Sequence, residues 1–133
     1  MINPISTSLS GLMAASKKAE VVSSNIANAD SVGSTDPKAP DQAYAAKVTQ
    51  DVSTGDGGVR TEVLTRNPPF VPSYSPDSPL ADSSGMVNAP NVNLDEELLN
   101  LQQAKTAYQS NAMVIRTSLK MQDALHKALD TKY

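Results

Sequence analysis

From Leu94 to the end, the chain keeps an unbroken alternation of three- and four-residue steps: Leu94, Leu98, Leu101, Lys105, Tyr108, Ala112, Ile115, Leu119, Gln122, His126, Leu129, Tyr133. This is the spacing of a coiled-coil seam, and no Pro or Gly interrupts it. The start is marked too. Asn93 is placed to cap, Glu96 completes a capping box, and Asp95, Glu96 and Glu97 stand at the positive end of the helix dipole. The pattern predicts one helix over 94–133, about 38 residues and roughly 57 Å long. A second apolar seam runs one residue out of step, through Ala104, Ala107, Asn111, Val114, Ser118, Met121, Leu125 and Ala128. One residue is about 100° of helix, so apolar groups cover two adjacent faces. A single partner helix needs only one seam, so two seams imply at least two neighbours. An interior helix of an ordinary bundle fits the same pattern.

The first thirty residues carry a weaker heptad, Ile2, Ile5, Leu9, Leu12, Ser16, Ala19, Ser23, Ile26, behind an Asn3-Pro4 start that reads as an N-cap with proline at the first helical position. This predicts a helix from Pro4 to about Asn28, closed by an Asn-rich stretch whose residues tolerate left-handed backbone. Its seam fades from Ile and Leu to Ser and Ala, so alone it is marginal. The two terminal helices can pair antiparallel. Roughly 25 residues against 38 leaves about 20 Å of the longer one without a partner in the chain.

Between them, residues 31–93 hold eight of the nine prolines, five of the six glycines and the whole net charge of −3. Two stretches alternate with period two, around Tyr44–Val52 and Val59–Val63, on either side of Thr54-Gly55-Asp56-Gly57-Gly58. They predict a small β-hairpin at about 43–66. Asp56 reads as a turn residue rather than a calcium ligand, since no second acid stands at loop spacing. Asn67 to Pro79 has too many prolines for a ladder or a helix, and is expected to be extended with Phe70 and Tyr74 as anchors. The expected fold is therefore mainly α. Long terminal helices (1–30 and 94–133) pair as an antiparallel coiled coil, and the middle segment (31–93) is irregular and Pro/Gly-rich with one hairpin.

The inventory offers no chemistry. There is one His and no Cys, and no nucleophile elbow, phosphate loop or metalloprotease pattern occurs, so no catalytic, cofactor or metal residue is assigned. His126 lies on the first seam and reads as an interface residue. Asp95, Glu96 and Glu97 point in different directions from a helix and do not converge on one ion. The slight acidity argues against nucleic acid. No apolar run reaches transmembrane length, so no membrane insertion is expected, and no cleavable signal peptide is visible.

Two stretches carry a resemblance. Ser24-Asn25-Ile26-Ala27-Asn28-Ala29-Asp30 is similar to the S-N-[IL]-A-N-[AV] motif near the N-terminus of bacterial flagellar rod and hook proteins. The run SPLADSSGMVNAPNVN from Ser78 resembles the N-P-x-x-x-A-D-x-x-G-Y-V-x-x-P-N-V-N segment that precedes the C-terminal helix in the short, proximal members of that rod family. Met86 replaces the usual Tyr and Ser78 the usual Asn, and residues 31–75 match loosely. On this resemblance the motif residues are Asn25, Ala27, Asn28, Pro90, Asn91 and Val92.

The resemblance implies a structural subunit of the rod, exported without a cleaved signal peptide. Its terminal helices would join a hollow helical shaft that transmits torque across the periplasm. Partners would be further copies, rod proteins of the FlgB, FlgF and FlgG type, and rod-base and membrane-ring components. Together with the seams it places Ile5, Leu9, Leu12, Ile26, Leu98, Leu101, Tyr108, Val114, Ile115, Leu119, Met121, Leu125 and Leu129 at subunit interfaces. The competing reading is a freely soluble helical adaptor or export chaperone that clasps a client with the same helices. It would be a stable dimer when dilute, and has little use for sixty irregular residues.

Overall fold

The computed structural model describes residues 3–55 and 57–130. Ile2, Asp56 and Tyr133, each named in the sequence patterns, lie outside them. Helix α1 (Pro4–Ala27) starts as its sequence dictates, with Asn3 Oδ1 accepting from the Ile5 amide at 3.0 Å and proline in the first turn. It ends at Asn28 with φ −111, and among the described residues no non-glycine has positive φ. The left-handed exit expected there is therefore corrected. The Asn28 amide and side chain instead bond back to the Ser24 carbonyl.

Strands β1 (Lys47–Ser53) and β2 (Val59–Thr65) form an antiparallel hairpin, register Lys47 to Thr65. Strands β3 (Phe70–Tyr74) and β4 (Met86–Pro90) form a second antiparallel pair, and helix α2 (Leu94–Asp130) closes the chain.

The second sheet overturns the mainly α, single-hairpin fold. Helices of 24 and 37 residues stand beside four strands of 7, 7, 5 and 5. The prolines enter this ladder because of its register. Pro72 lies opposite Asn88, whose backbone N–H and C=O both bond to Gly33 on the far side at 2.9 Å. Position 72 is thus a non-hydrogen-bonded site of the β3–β4 ladder, where a missing N–H costs nothing. Pro90, opposite Phe70, is in the same phase. Flanking pairs supply the bonds, Ser75 N–H to Gly85 and Asn91 N–H to Pro69.

The helices run antiparallel. Asn25 meets Glu97, and a Cβ placed at Gly11 would touch the Asn111 side chain at 2.7 Å. The stripe of α1 that is buried or meets α2 is Ser8, Gly11, Ala15, Val22 and Asn25, one residue behind the expected Ile/Leu seam. The reason is the hairpin. It lies along α1 on the Ala14 and Val21 side, pinned where Ser10 Oγ accepts from the Val59 amide at 3.0 Å. With α2 on one flank and the hairpin on the other, the covered stripe falls between them. Ser8, Gly11 and Ala15 in it are small residues that permit close approach but bury little area.

Candidate assembly interface

Among the motif residues near the end of α1, Asn25 anchors a buried polar joint rather than a simple helix stop. Asn25 is 1% exposed. Its Nδ2 donates to the Lys47 carbonyl (2.8 Å) and to Glu97 Oε1 (3.0 Å), while its Oδ1 accepts from the Lys47 amide (3.0 Å) and the Tyr44 hydroxyl (3.1 Å). In the β1–β2 register the Lys47 backbone groups face away from β2, because the next pair outward, at the open end of the hairpin, is bonded through Arg66 N–H to Ala46 O. The Asn25 carboxamide therefore completes the open edge of β1 as a neighbouring strand would. Asp in its place lacks the two donors.

Glu97, 2% exposed, is held from the other side by Arg66 at 3.3 Å, and Arg66 also reaches Glu96 at 3.3 Å. Arg66 Nε is buried without a partner. Removing Arg66 would leave the buried Glu97 carboxylate without its cation, whereas removing Glu97 leaves Arg66 its second partner, Glu96.

Sequence reasoning did not find Glu97, Arg66, Tyr44 or Lys47 in this joint, and placed Glu97 among dipole residues. One signal was available: Glu97 is seven residues ahead of Ala104 and fourteen ahead of Asn111, so it continues the second seam. The capping box is also half corrected. Asn93 Oδ1 accepts from the amides of Asp95 and Glu96, but Glu96 turns its carboxylate to Arg66.

The second motif shapes the entry to α2. Asp82 Oδ1 accepts from the amides of Ser84 (2.8 Å) and Met86 (3.0 Å), closing a turn in which Gly85 takes φ +76. Those backbone bonds hold the Asp82 carboxyl below its ordinary range, the Met86 bond first. Pro90 is buried at the end of β4, Asn91 Nδ2 donates to the Pro68 carbonyl at 2.9 Å, and Asn93 caps α2. Ala27 is exposed, and Val92 half-buried.

The expected interface residues divide by position. Ile5, Leu12, Ile26, Leu101 and Ile115 are half-buried within the chain. Leu9, Leu98, Tyr108, Val114, Leu119, Met121, Leu125 and Leu129 are exposed, from 45% at Val114 to 68% at Met121. On the second seam Ala104 is buried, Asn111 half-buried and Ala107 exposed, and the three line an open cavity of about 370 Å³ with Asp51 and Val59 of the hairpin. Beyond it Val114, Met121 and Leu125 lie bare.

Given the two contacts that fix the alignment, Pro4 lies level with Ser118, and every described α2 residue after Ser118 is exposed, about 18 Å of helix. Among the described residues no group of acids and His is arranged to hold a metal, and no helix is long and apolar enough to cross a membrane. The arrangement presents apolar helix faces from a polar joint.

The two motif regions coincide with two sequence families. One described as "Flagella basal body rod protein" matches residues 5–34, and one described as "Flagellar basal body rod FlgEFG protein C-terminal" matches residues 83–127. The chain is 37% identical over 120 residues to the flagellar basal-body rod protein FlgC of Salmonella typhimurium, covering 88% of this chain and 89% of that protein. It is 36% identical over 110 residues to FlgC of Agrobacterium fabrum, covering 80% and 79%. It is 32% identical over 127 residues to FlgC of Buchnera aphidicola from Acyrthosiphon pisum, covering 91% and 92%.

The chain thus belongs to the flagellar basal-body rod proteins, a class of structural subunits. Within that class it is of the FlgC type, which sets aside the adaptor reading.

Proposed function

We infer that this rod subunit assembles through its terminal helices into the hollow helical shaft of the proximal rod and carries torque across the periplasm, with no catalytic role. The carrying observation is the end of α2. Leu119, Leu125 and Leu129 are 48%, 60% and 55% exposed on a stretch that α1 does not reach. An apolar helix surface of this kind is favourable only when covered. Unlike patches that meet head to tail and do not close generate an open helical assembly.

Residues 1–30 and 94–133 are the axial core in this reading, and 31–93 sits outside it. Leu98, Leu101, Tyr108, Ile115, Leu119 and Leu129 face α1 or neighbouring C-terminal helices; Val114, Met121 and Leu125 face another subunit, as do the exposed parts of Ile5, Leu9, Leu12 and Ile26. The partners are further copies, rod proteins of the FlgB, FlgF and FlgG type, and rod-base and membrane-ring components. Delivery needs no cleaved signal peptide.

Leu125 is the test. Leu125→Asp puts a charge on the bare face without touching an in-chain contact. The expected outcome is exported subunit, no rod in basal-body preparations and no motility. Normal swimming by the L125D strain refutes the assignment.

A further inference from the structure

The small-residue stripe between the helices poses a question of alignment. Along α2 the positions facing α1 step by seven: Glu97, Ala104, Asn111, Ser118. Ala104 and Ser118 are small, and Gly11 opposite Asn111 fits Ser118 at least as well. Packing volume along this stripe therefore does not distinguish the observed alignment from one slid by a heptad, about 10 Å.

Slid that way, α1 would cover α2 out to about Leu125 and remove most of its bare end. The hairpin would travel with α1, because Asn25–Lys47 and Ser10–Val59 bonds tie the two together. Side-chain hydrogen bonds from this α1–hairpin unit to α2 converge on one place: Asn25 to Glu97, and Arg66 to Glu96 and Glu97.

We propose that the Asn25–Glu97 hydrogen bond, backed by Arg66, is the register key of this protein: a positioning pair that selects one axial alignment of the helices and so keeps the end of α2 uncovered. A single buried polar contact in an otherwise permissive apolar interface fixes register because every other alignment strands it. In the slid state Glu97 would leave both its donor and its cation, and Asn25 would face Ala104. The value of this register to assembly rests on the rod reading above. The alignment itself is a property of the single chain and is read without any rod.

The chain has no Cys, so engineered disulfides report alignment directly. Gly11→Cys/Asn111→Cys traps the observed register, since a Cβ at position 11 already lies against residue 111. Gly11→Cys/Ser118→Cys, with Asn111→Ala to remove that contact, traps the slid one. Each pair is oxidised in the purified chain, under conditions where circular dichroism shows its helix, and the monomer band is scored.

In the otherwise unaltered chain the 11–111 bond should form and the 11–118 bond should not. Glu97→Met removes the buried charge but leaves Asn25 bonded to Lys47 and Tyr44. The ratio of 11–111 to 11–118 bond formed should fall by about tenfold or more, the change expected from losing a charge-assisted hydrogen bond. Glu97→Gln keeps an acceptor for Asn25 and should restore the 11–111 bond.

An E97M chain that still forms only the 11–111 bond overturns the proposal. So does an E97M chain that loses its helix, because a register choice requires both alignments to fold. An E97Q chain that slides as far as E97M also overturns it, by leaving the ion pair as the determinant.

Discussion

Asn25 and Asp82 show how two short motifs act through backbone groups. Asn25 supplies a donor and an acceptor to one strand edge, and Asp82 accepts two amides of one turn. The second carries a pH dependence. The Asp82 carboxyl is lowered from 3.8 in the folded chain. Its contribution is therefore complete above that unfolded value and is lost as pH falls through the lower, folded one. Protection factors of the Ser84 and Met86 amides, corrected for intrinsic exchange, should stay level above the ordinary carboxylate range and decline below it. In Asp82→Asn the same amides should be less protected and should show no such step. A step that persists in D82N assigns the titration to another group.

At the scale of elements, the hairpin and the two helices contribute unequally to the fold. The hairpin covers one flank of α1, and α2 contributes its first 25 residues to the packed body. The last turns contribute no buried residue. A chain ending at Ser118 should therefore unfold at a temperature within about 2 °C of the full chain, because no described residue that is lost is buried. The same truncated chain should fail to enter the rod. A large drop in its melting temperature would mean that the terminal turns fold back onto the body.

Much at this scale was legible. The Asn3-Pro4 and Asn93 starts and the Thr54–Gly58 turn are local chemistry, set by residues a few positions apart. What escaped was non-local. Whether Pro72 can sit in a ladder depends on which way its partner's N–H points, and that depends on Gly33, far away in sequence. Likewise, which of two neighbouring seams is buried depends on the flank the hairpin occupies.

At the scale of the whole molecule, a body held by small residues carries a surface rich in Leu, Met and Val. Such a chain gains more from neighbours than from its own interior. Across a concentration series, far-ultraviolet circular dichroism and analytical ultracentrifugation should show a monomer when dilute, with helix rising as oligomers form. A fully helical dimer at micromolar concentration would mean that the seams satisfy each other in pairs and would count against open helical growth.

Sequence by itself determined the two helical ends, their unequal lengths, the hairpin turn and the family, because heptad spacing, caps and contiguous motifs are written within short windows. Only the tertiary structure decided the second sheet, the buried small-residue stripe and the Asn25–Glu97–Arg66 joint. Each of these joins residues that distant parts of the chain bring together, and a buried carboxylate is tolerable only where its donors have already been placed around it.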